Sequence, residues 1–339
     1  MAKPLLVPGT QATTLVDLAD DGREIYNAVR MGLPLIPKSL GGLPKDEWVA
    51  VMSMKHAAGR LAPTRTSLQP DRDLRFGEVS RVPYALLDYD GWGYDWRADV
   101  RWNAERLAVE LDARFGEEGE SARLVGHSQG GLIIVLASKH TGAAEWERLV
   151  SKVVLVGSPL AGTLNALEAL LPGSRSLGDE NRLLARDMAR TWPSLYQMLP
   201  AWPCVEESDG DPRSPGDQVL SETGWPGQTG IPADLLVRAR ETQDLLRNPF
   251  AEFGAVETRS FLGTNHKTPQ ALIRDADEEG RFVLKRHSGD SLVPHVRTMA
   301  WGDAAYNDSV RLFGRRTQDH SRLCADVRVA TRIRRFLDD

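Results

Sequence analysis

Residues 122–140 read ARLVGHSQGGLIIVLASKH, and the fold is organised around them. Arg123, Leu124 and Val125 open a short apolar run suited to a buried strand, and residues 132–138 continue as an apolar helix. GHSQG, residues 126–130, must therefore be the turn between the two. A serine on so sharp a turn needs neighbours without bulky side chains, which Gly126 and Gly130 supply. The turn lifts the Ser128 hydroxyl above the carboxyl edge of a sheet. The helix starting at Gln129 then aims its first free N–H groups at any oxygen bound beside that hydroxyl, so developing negative charge meets a fixed dipole. Such a strand–turn–helix is a nucleophile elbow.

Towards the N-terminus, residues 5–7 (LLV) form a candidate core strand, followed by PGTQATT at 8–14. A loop of small residues there can lend a second backbone N–H to an oxyanion, which makes Thr10 and Gln129 the candidate donors. Residues 14–18 and 24–29 flank Asp21-Gly22 and read as a hairpin. Residues 30–81 are rich in Pro and Gly without a sustained period, so a surface excursion is expected. Residues 82–87 read as a strand running into DYDGWGYDWR at 88–97, an aromatic loop at the sheet edge that carries the elbow. Across 103–115 the apolar positions Leu107, Val109, Leu111 and Phe115 suit an amphipathic crossover helix. Residues 152–156 (KVVLV) form another buried strand. Strands and helices in alternation imply an α/β fold with a mostly parallel sheet covered on both faces.

From residue 165 to 254 the character changes. Helical stretches at 165–171 and 181–192 are broken by turns around Pro193, Pro200, Pro203, Pro212, Pro215, Pro226 and Pro232, the pattern of an inserted helical cap. Trp192, Leu195, Tyr196, Met198, Leu199 and Trp202 crowd together as its core. Leu164, Leu167, Leu170 and Leu171 suit the buried face of a cap helix, with an apolar lid edge as the alternative. The core resumes with a strand at 257–262, and 281–285 is read as a further strand. HSGDSLVP at 287–294 then presents an acid, and residues 327–337 close the chain as a helix with a basic face. The expected organisation is a first core part over 1–164, a cap over 165–254 and a second core part over 255–339.

With 41% hydrophobic and 26% charged residues, the 339-residue chain can bury a large core. A net charge of −5 excludes a protein that lives on nucleic acid, which needs a concentrated cationic excess. The late arginines, from Arg311 and Arg315 to Arg334 and Arg335, fit a solvated helix face. Cys204 and Cys324 form no closely spaced pair, so neither a zinc site nor a disulfide framework is suggested, and one disulfide stays open. Asp209, Asp211 and Asp217 miss the spacing of a calcium loop and have proline among them. No cofactor or metal is implied. The N-terminus has no secretory leader and no apolar run approaches the roughly 18 residues of a membrane span, so a cytoplasmic protein is expected.

Serine is a poor nucleophile until a base takes its proton and an acid holds that base in the right tautomer. In an α/β sheet of this kind the partners follow in the order Ser, acid, His. Asp290 lies on the loop after a late strand, and His320 follows 30 residues later, ahead of the final helix. His295 is too near Asp290 in sequence, His287 precedes the acid, and His140 ends the elbow helix. His127 adjoins the nucleophile but projects elsewhere, which favours packing. Ser128, Asp290 and His320 are thus the candidate nucleophile, acid and base.

VPGTQATTL, YDWR, GHSQGG, GSPLAGT, TWPSLYQMLP, FLGTNHKTP and GDSLVP, followed by His320, resemble in this order the lecithin:cholesterol acyltransferase family of α/β hydrolases. The likeness is spread over most of the chain. Ser291-Leu292 stands where Gly-Thr is more usual, leaving Asp290 in place. The resemblance implies an α/β-hydrolase fold and cleavage of acyl esters, often of phospholipids, with transfer to an alcohol as the alternative outcome. It assigns Ser128 as nucleophile, Asp290 as acid, His320 as base and Thr10 with Gln129 as oxyanion donors. Gln11, Trp96, Leu164, Trp192 and Tyr196 are candidate contacts of the acyl-ester substrate. Transient contact with a membrane surface is one expected consequence of a lipid substrate. A binding or effector protein that has lost or restrained its chemistry is the alternative from another class.

Overall fold

The computed structural model describes residues 3–17, 23–26, 52–54, 74–79, 82–117, 121–171, 186–206, 231–274, 282–295, 310–312 and 318–339. In chain order these hold strands β1 (Leu5–Val7), β2 (Thr13–Asp17), β3 (Arg23–Tyr26), β4 (Leu74–Val79) and β5 (Asp90–Gly91), then helix α1 (Val100–Phe115). The elbow follows as β6 (Ala122–His127) and α2 (Gln129–Thr141), then α3 (Ala143–Leu149) and β7 (Val150–Val156). Between β7 and β9 (Glu257–Leu262) lie α4 (Leu164–Leu170), α5 (Pro193–Gln197), β8 (Val205–Glu206) and α6 (Ala233–Leu246). The chain closes with β10 (His266–Arg274), β11 (Phe282–Gly289), β12 (Val310–Leu312), a 3-10 turn (His320–Ala325) and α7 (Val327–Asp338).

Six strands form the central sheet in the order β12-β9-β7-β6-β1-β5, every neighbour parallel. Alternation along these strands feeds two separate cores. Leu5, Val7, Leu124, Val153 and Leu155 face one side, where α1 and α2 pack; Leu6, Val125, Val154, Val156 and Phe261 face the other, against Val329, Ile333 and Leu337 of α7. The helices follow from the same logic. Asp99 caps α1 by accepting from the N–H groups of Arg101 and Trp102, and Leu107, Leu111 and Phe115 recur at helical spacing on its buried side. Every residue of α2 from Gln129 to Ser138 is buried, as expected for a helix apolar on all faces.

Register decides what gathers at the carboxyl edge. Val7 pairs with Gly126 and Val156 with His127, so the loop after β1, the elbow and Gly157 end side by side. The hairpin expected around Asp21-Gly22 is present as antiparallel β2 and β3.

Three readings need correction. Residues 82–87 are not a strand: Val82–Tyr84 is a 3-10 turn followed by a second turn in which Leu87 N–H donates to Tyr84 O (2.9 Å), and the strand on the outer side of β1 is β5. Pro83, which has no N–H to give a ladder, explains the turn. The excursion over 30–81 is not wholly irregular, because Leu74–Val79 returns to pair with β2 in a three-stranded sheet, β3-β2-β4. Residues 282–285 belong to β11, which pairs with β10 and lies outside the central sheet, in the order β11-β10-β8; among the described residues a further strand, the three-residue β12, follows it and joins the central sheet.

The aromatic cluster is interior, as its composition suggested. Trp192 Nε1 donates to Met52 O (2.8 Å), Trp202 Nε1 to Gln270 O (3.0 Å) and the Tyr196 hydroxyl to Arg190 O (2.9 Å). Each ring is thus buried with its polar end satisfied. Leu164, Leu167, Leu170 and Leu171 are buried as well. Cys204 and Cys324 are both buried and unpaired with each other, so no disulfide joins them. Among the described residues no helix is long and apolar enough to cross a membrane. Asp209, Asp211 and Asp217 lie outside the described residues.

Candidate active site

Ser128 sits between β6 and α2 with φ 52° and ψ −125°, a conformation that a non-glycine residue adopts only where its surroundings enforce it. The two flanking glycines explain how. A Cβ on Gly130 would stand 2.0 Å from Val7 O and 2.6 Å from Pro8 O, and one on Gly126 would stand 2.8 Å from Gly131 Cα. The elbow therefore presses directly against the loop after β1, and no side chain fits between. Ser128 N–H is held by Val156 O at 2.9 Å.

Ser128, Asp290 and His320 meet at this edge, although 192 residues separate the serine from the histidine. His320 Nε2 lies 2.8 Å from Ser128 Oγ, and its Nδ1 lies 2.8 Å from Asp290 Oδ2. The other carboxylate oxygen, Oδ1, accepts from the N–H groups of Leu292 (3.0 Å) and Val293 (2.7 Å). Asp290 is thus fixed by its own loop and receives the imidazole N–H, which leaves Nε2 as the acceptor for the serine hydroxyl. The three residues are 9%, 1% and 6% exposed, so each of these bonds acts in a poorly solvated environment.

Thr10 and Gln129 also adjoin the serine. Thr10 Oγ1 donates to Gln129 Oε1 (2.9 Å), which takes a second, longer bond from the Tyr94 hydroxyl (3.3 Å). Gln129 Nε2 donates to Trp96 O (3.1 Å), and the single Tyr94 hydroxyl proton is shared between Gln129 Oε1 and the nearer Pro8 O (2.8 Å). The Gln129 side chain thereby ties the loop after β1 to the aromatic loop. Its own N–H is in the first turn of α2 and has no acceptor within that helix.

The remaining candidates are dispersed. Gln11 stands half-buried with a left-handed φ of 65°. Trp96, Leu164, Trp192 and Tyr196 are packed in the core, where Trp96 and Trp192 meet edge to face with centroids 5.2 Å apart. His295 Nδ1 is engaged with Ser288 O (3.0 Å), away from the serine.

Two residues of the site were not assigned a polar role from sequence. His127 Nδ1 lies 2.9 Å from the Tyr84 hydroxyl and its Nε2 lies 3.0 Å from His320 O. Burial, reinforced by the neighbouring His320, pushes the His127 ring down to about 3, so it is neutral across the working range. The sole hint in the sequence was its position beside the serine, because Tyr84 fell in a segment read as a strand.

Residues 90–234 match the family model described as Lecithin:cholesterol acyltransferase, a span from β5 to the start of α6 that includes the elbow. A chain in the crystal structure of the Tle4–Tli4 complex is similar in fold, with 14% identity, a TM-score of 0.63 and coverage of 99% of this chain and 98% of that one. The lipase BlEst2 of Bacillus licheniformis, in mature form, matches at 15% identity and a TM-score of 0.39 over 74% of this chain and 79% of its own. No curated protein matches in sequence. The parallel sheet with the elbow at its carboxyl edge is an α/β-hydrolase fold, and its central part, residues 90–234, is similar to the lecithin:cholesterol acyltransferase family.

Proposed function

We propose that this chain is a serine acyl-ester hydrolase of lipase or phospholipase type that works through an acyl-enzyme on Ser128. The observation that carries the reading is the hydrogen-bonded row Asp290–His320–Ser128, with both links at 2.8 Å. In this mechanism His320 Nε2 takes the Ser128 proton as Oγ attacks the ester carbonyl. The tetrahedral oxyanion is met by the backbone N–H groups of Thr10 and Gln129. Protonated His320, its charge balanced by Asp290, then gives the proton to the leaving alcohol. Water then attacks the acyl-enzyme as His320 takes its proton, and His320 returns that proton to Ser128 Oγ as the acid leaves.

An alcohol in place of that water would make the same acyl-enzyme a transferase intermediate, a second outcome that the family match supports. Origin of the structurally similar chain in a two-component complex supports a protein partner as well, which co-purification would test.

The deciding experiment is fluorophosphonate labelling together with mass-spectrometric product analysis on mixed phospholipids and neutral lipids. Native protein should label at Ser128 and release acyl products. Ser128→Ala should lose at least about 10³-fold in turnover while keeping its melting temperature. Turnover that survives this substitution would refute the mechanism.

A further inference from the structure

The hydrogen bonds around His127 have only one consistent direction. A carbonyl oxygen can only accept, so His127 Nε2 donates its proton to His320 O across 3.0 Å. Nδ1 of the same neutral ring then carries a lone pair, and the Tyr84 hydroxyl 2.9 Å away donates to it. The Tyr84 oxygen accepts in turn from Gly9 N–H at 3.0 Å. Gly9, Tyr84, His127 and His320 thus form one directed chain. It joins the loop after β1, the 3-10 turn, the elbow and the segment bearing the candidate base.

This chain restrains the backbone of residue 320 from the side that Asp290 does not reach. His320 N–H is already bonded to Asp290 O at 2.8 Å, so with His127 on its carbonyl the residue is held at both ends of its backbone. The two imidazoles are neighbours, with ring centroids 5.1 Å apart and planes tilted by 32°. Only His320 has its ring nitrogens on Asp290 and Ser128; both ring nitrogens of His127 are occupied elsewhere. Packing alone would not demand a donor and an acceptor placed on opposite sides of a buried ring.

We infer that His127 is a positioning residue for the base, with Tyr84 fixing its tautomer so that His320 stays within hydrogen-bond reach of Ser128. The inference rests on the reading of His320 as base. Two circumstances keep the relay working. Burial raises the Tyr84 phenol well above its ordinary range, so it retains the proton that it donates. The same burial leaves His127 uncharged, so it puts no second cation beside His320 when that ring takes up the serine proton.

The test compares His127→Leu, His127→Gln and Tyr84→Phe with the native protein on a short p-nitrophenyl ester, with melting temperatures measured alongside. Glutamine keeps one donor and one acceptor at the end of the side chain, whereas leucine keeps neither. His127→Leu should lower kcat by about tenfold or more with KM nearly unchanged, as expected when a reacting group loses its aim rather than the substrate its site. His127→Gln should recover most of that loss, and Tyr84→Phe should fall between the two. A kcat for His127→Leu within about twofold of native, or a glutamine variant no better than leucine, would overturn the inference. If the leucine variant does not fold, Tyr84→Phe decides: native kcat overturns the inference and a selective loss of kcat supports it.

A native protein without esterase activity would sink the proposed function, whereas the hold of His127 on His320 has its own readout. The low-field NMR signal of the His320 Nδ1 proton, shared with Asp290, should shift or broaden in Tyr84→Phe and His127→Leu and return in His127→Gln. An unchanged signal in all three would overturn it.

Discussion

Gly157 lies so close to Asp290 that a Cβ placed on it would stand 2.9 Å from the carboxylate Oδ2 and 3.3 Å from Cε1 of His320. With φ at 57°, the same residue also occupies backbone space that favours glycine. Gly157→Ala should therefore act twice. The left-handed backbone adds about 1 kcal/mol of strain, visible as a melting temperature lowered by about 2–4 °C. The methyl group forces the acid and base apart, so kcat should fall by about tenfold or more with KM little changed. Native kcat in a folded Gly157→Ala protein would mean that the Asp290 loop yields freely, against the rigid support drawn here.

Asp290→Asn separates the acid's charge from its shape. Asn Oδ1 can still accept from Leu292 and Val293, so the loop should hold. The amide then presents N–H groups to His320 Nδ1, which favours the tautomer with its proton on Nε2, the wrong one to accept from Ser128. Esterase kcat should drop by about 10³–10⁴-fold at neutral pH with the melting temperature nearly unchanged. A loss below about tenfold would remove Asp290 from the role of acid.

The depressed ionisation of His127 predicts a pH dependence of stability with a definite sign. Its folded value is about 3 against an ordinary 6.5, so between these limits the unfolded chain binds a proton that the folded chain refuses. Stability from this group is therefore full above about pH 6.5 and is lost as pH falls towards 3. At pH 5 the loss relative to pH 7 amounts to about 2 kcal/mol. Denaturant unfolding of native protein and His127→Gln at both pH values should show a shallower acid loss in the variant; parallel pH profiles would refute the assignment.

What the sequence disclosed and what it hid divide along physical lines. The elbow was legible because Gly126, Ser128 and Gly130 constrain one another locally, and α7 because Val329, Ile333 and Leu337 repeat every four residues. Asp290 and His320 could be named because the chain order of such partners is restricted. Strand β4 was hidden because its partner β2 lies far back in the chain, and pairing at that range leaves no local period. β12, three residues long, is too short to raise one. Tyr84 was misplaced because Pro83 turns an apolar run into a 3-10 turn, and only the fold brings its hydroxyl to Gly9 and His127.

The side chain of Gln129 supports a final prediction about the loop after β1. Oε1 receives Thr10 Oγ1 at 2.9 Å, so a residue whose backbone is proposed to meet the oxyanion also fixes, through its side chain, the residue proposed to supply the other donor. Thr10→Val keeps the shape and the backbone N–H of residue 10 and deletes only the hydroxyl that makes this bond. If the bond aims the loop, kcat should fall by about tenfold while KM stays near native, because the loss is felt where charge develops in the transition state. Gln129→Leu removes the same bond from the other side, along with the contacts to Tyr94 and Trp96, and should cost more. The double variant should then be little worse than Gln129→Leu alone, a coupling of about 1 kcal/mol in the kcat cycle. Strictly additive losses would show that the two side chains act independently, and Thr10 would no longer be the residue that Gln129 holds in place.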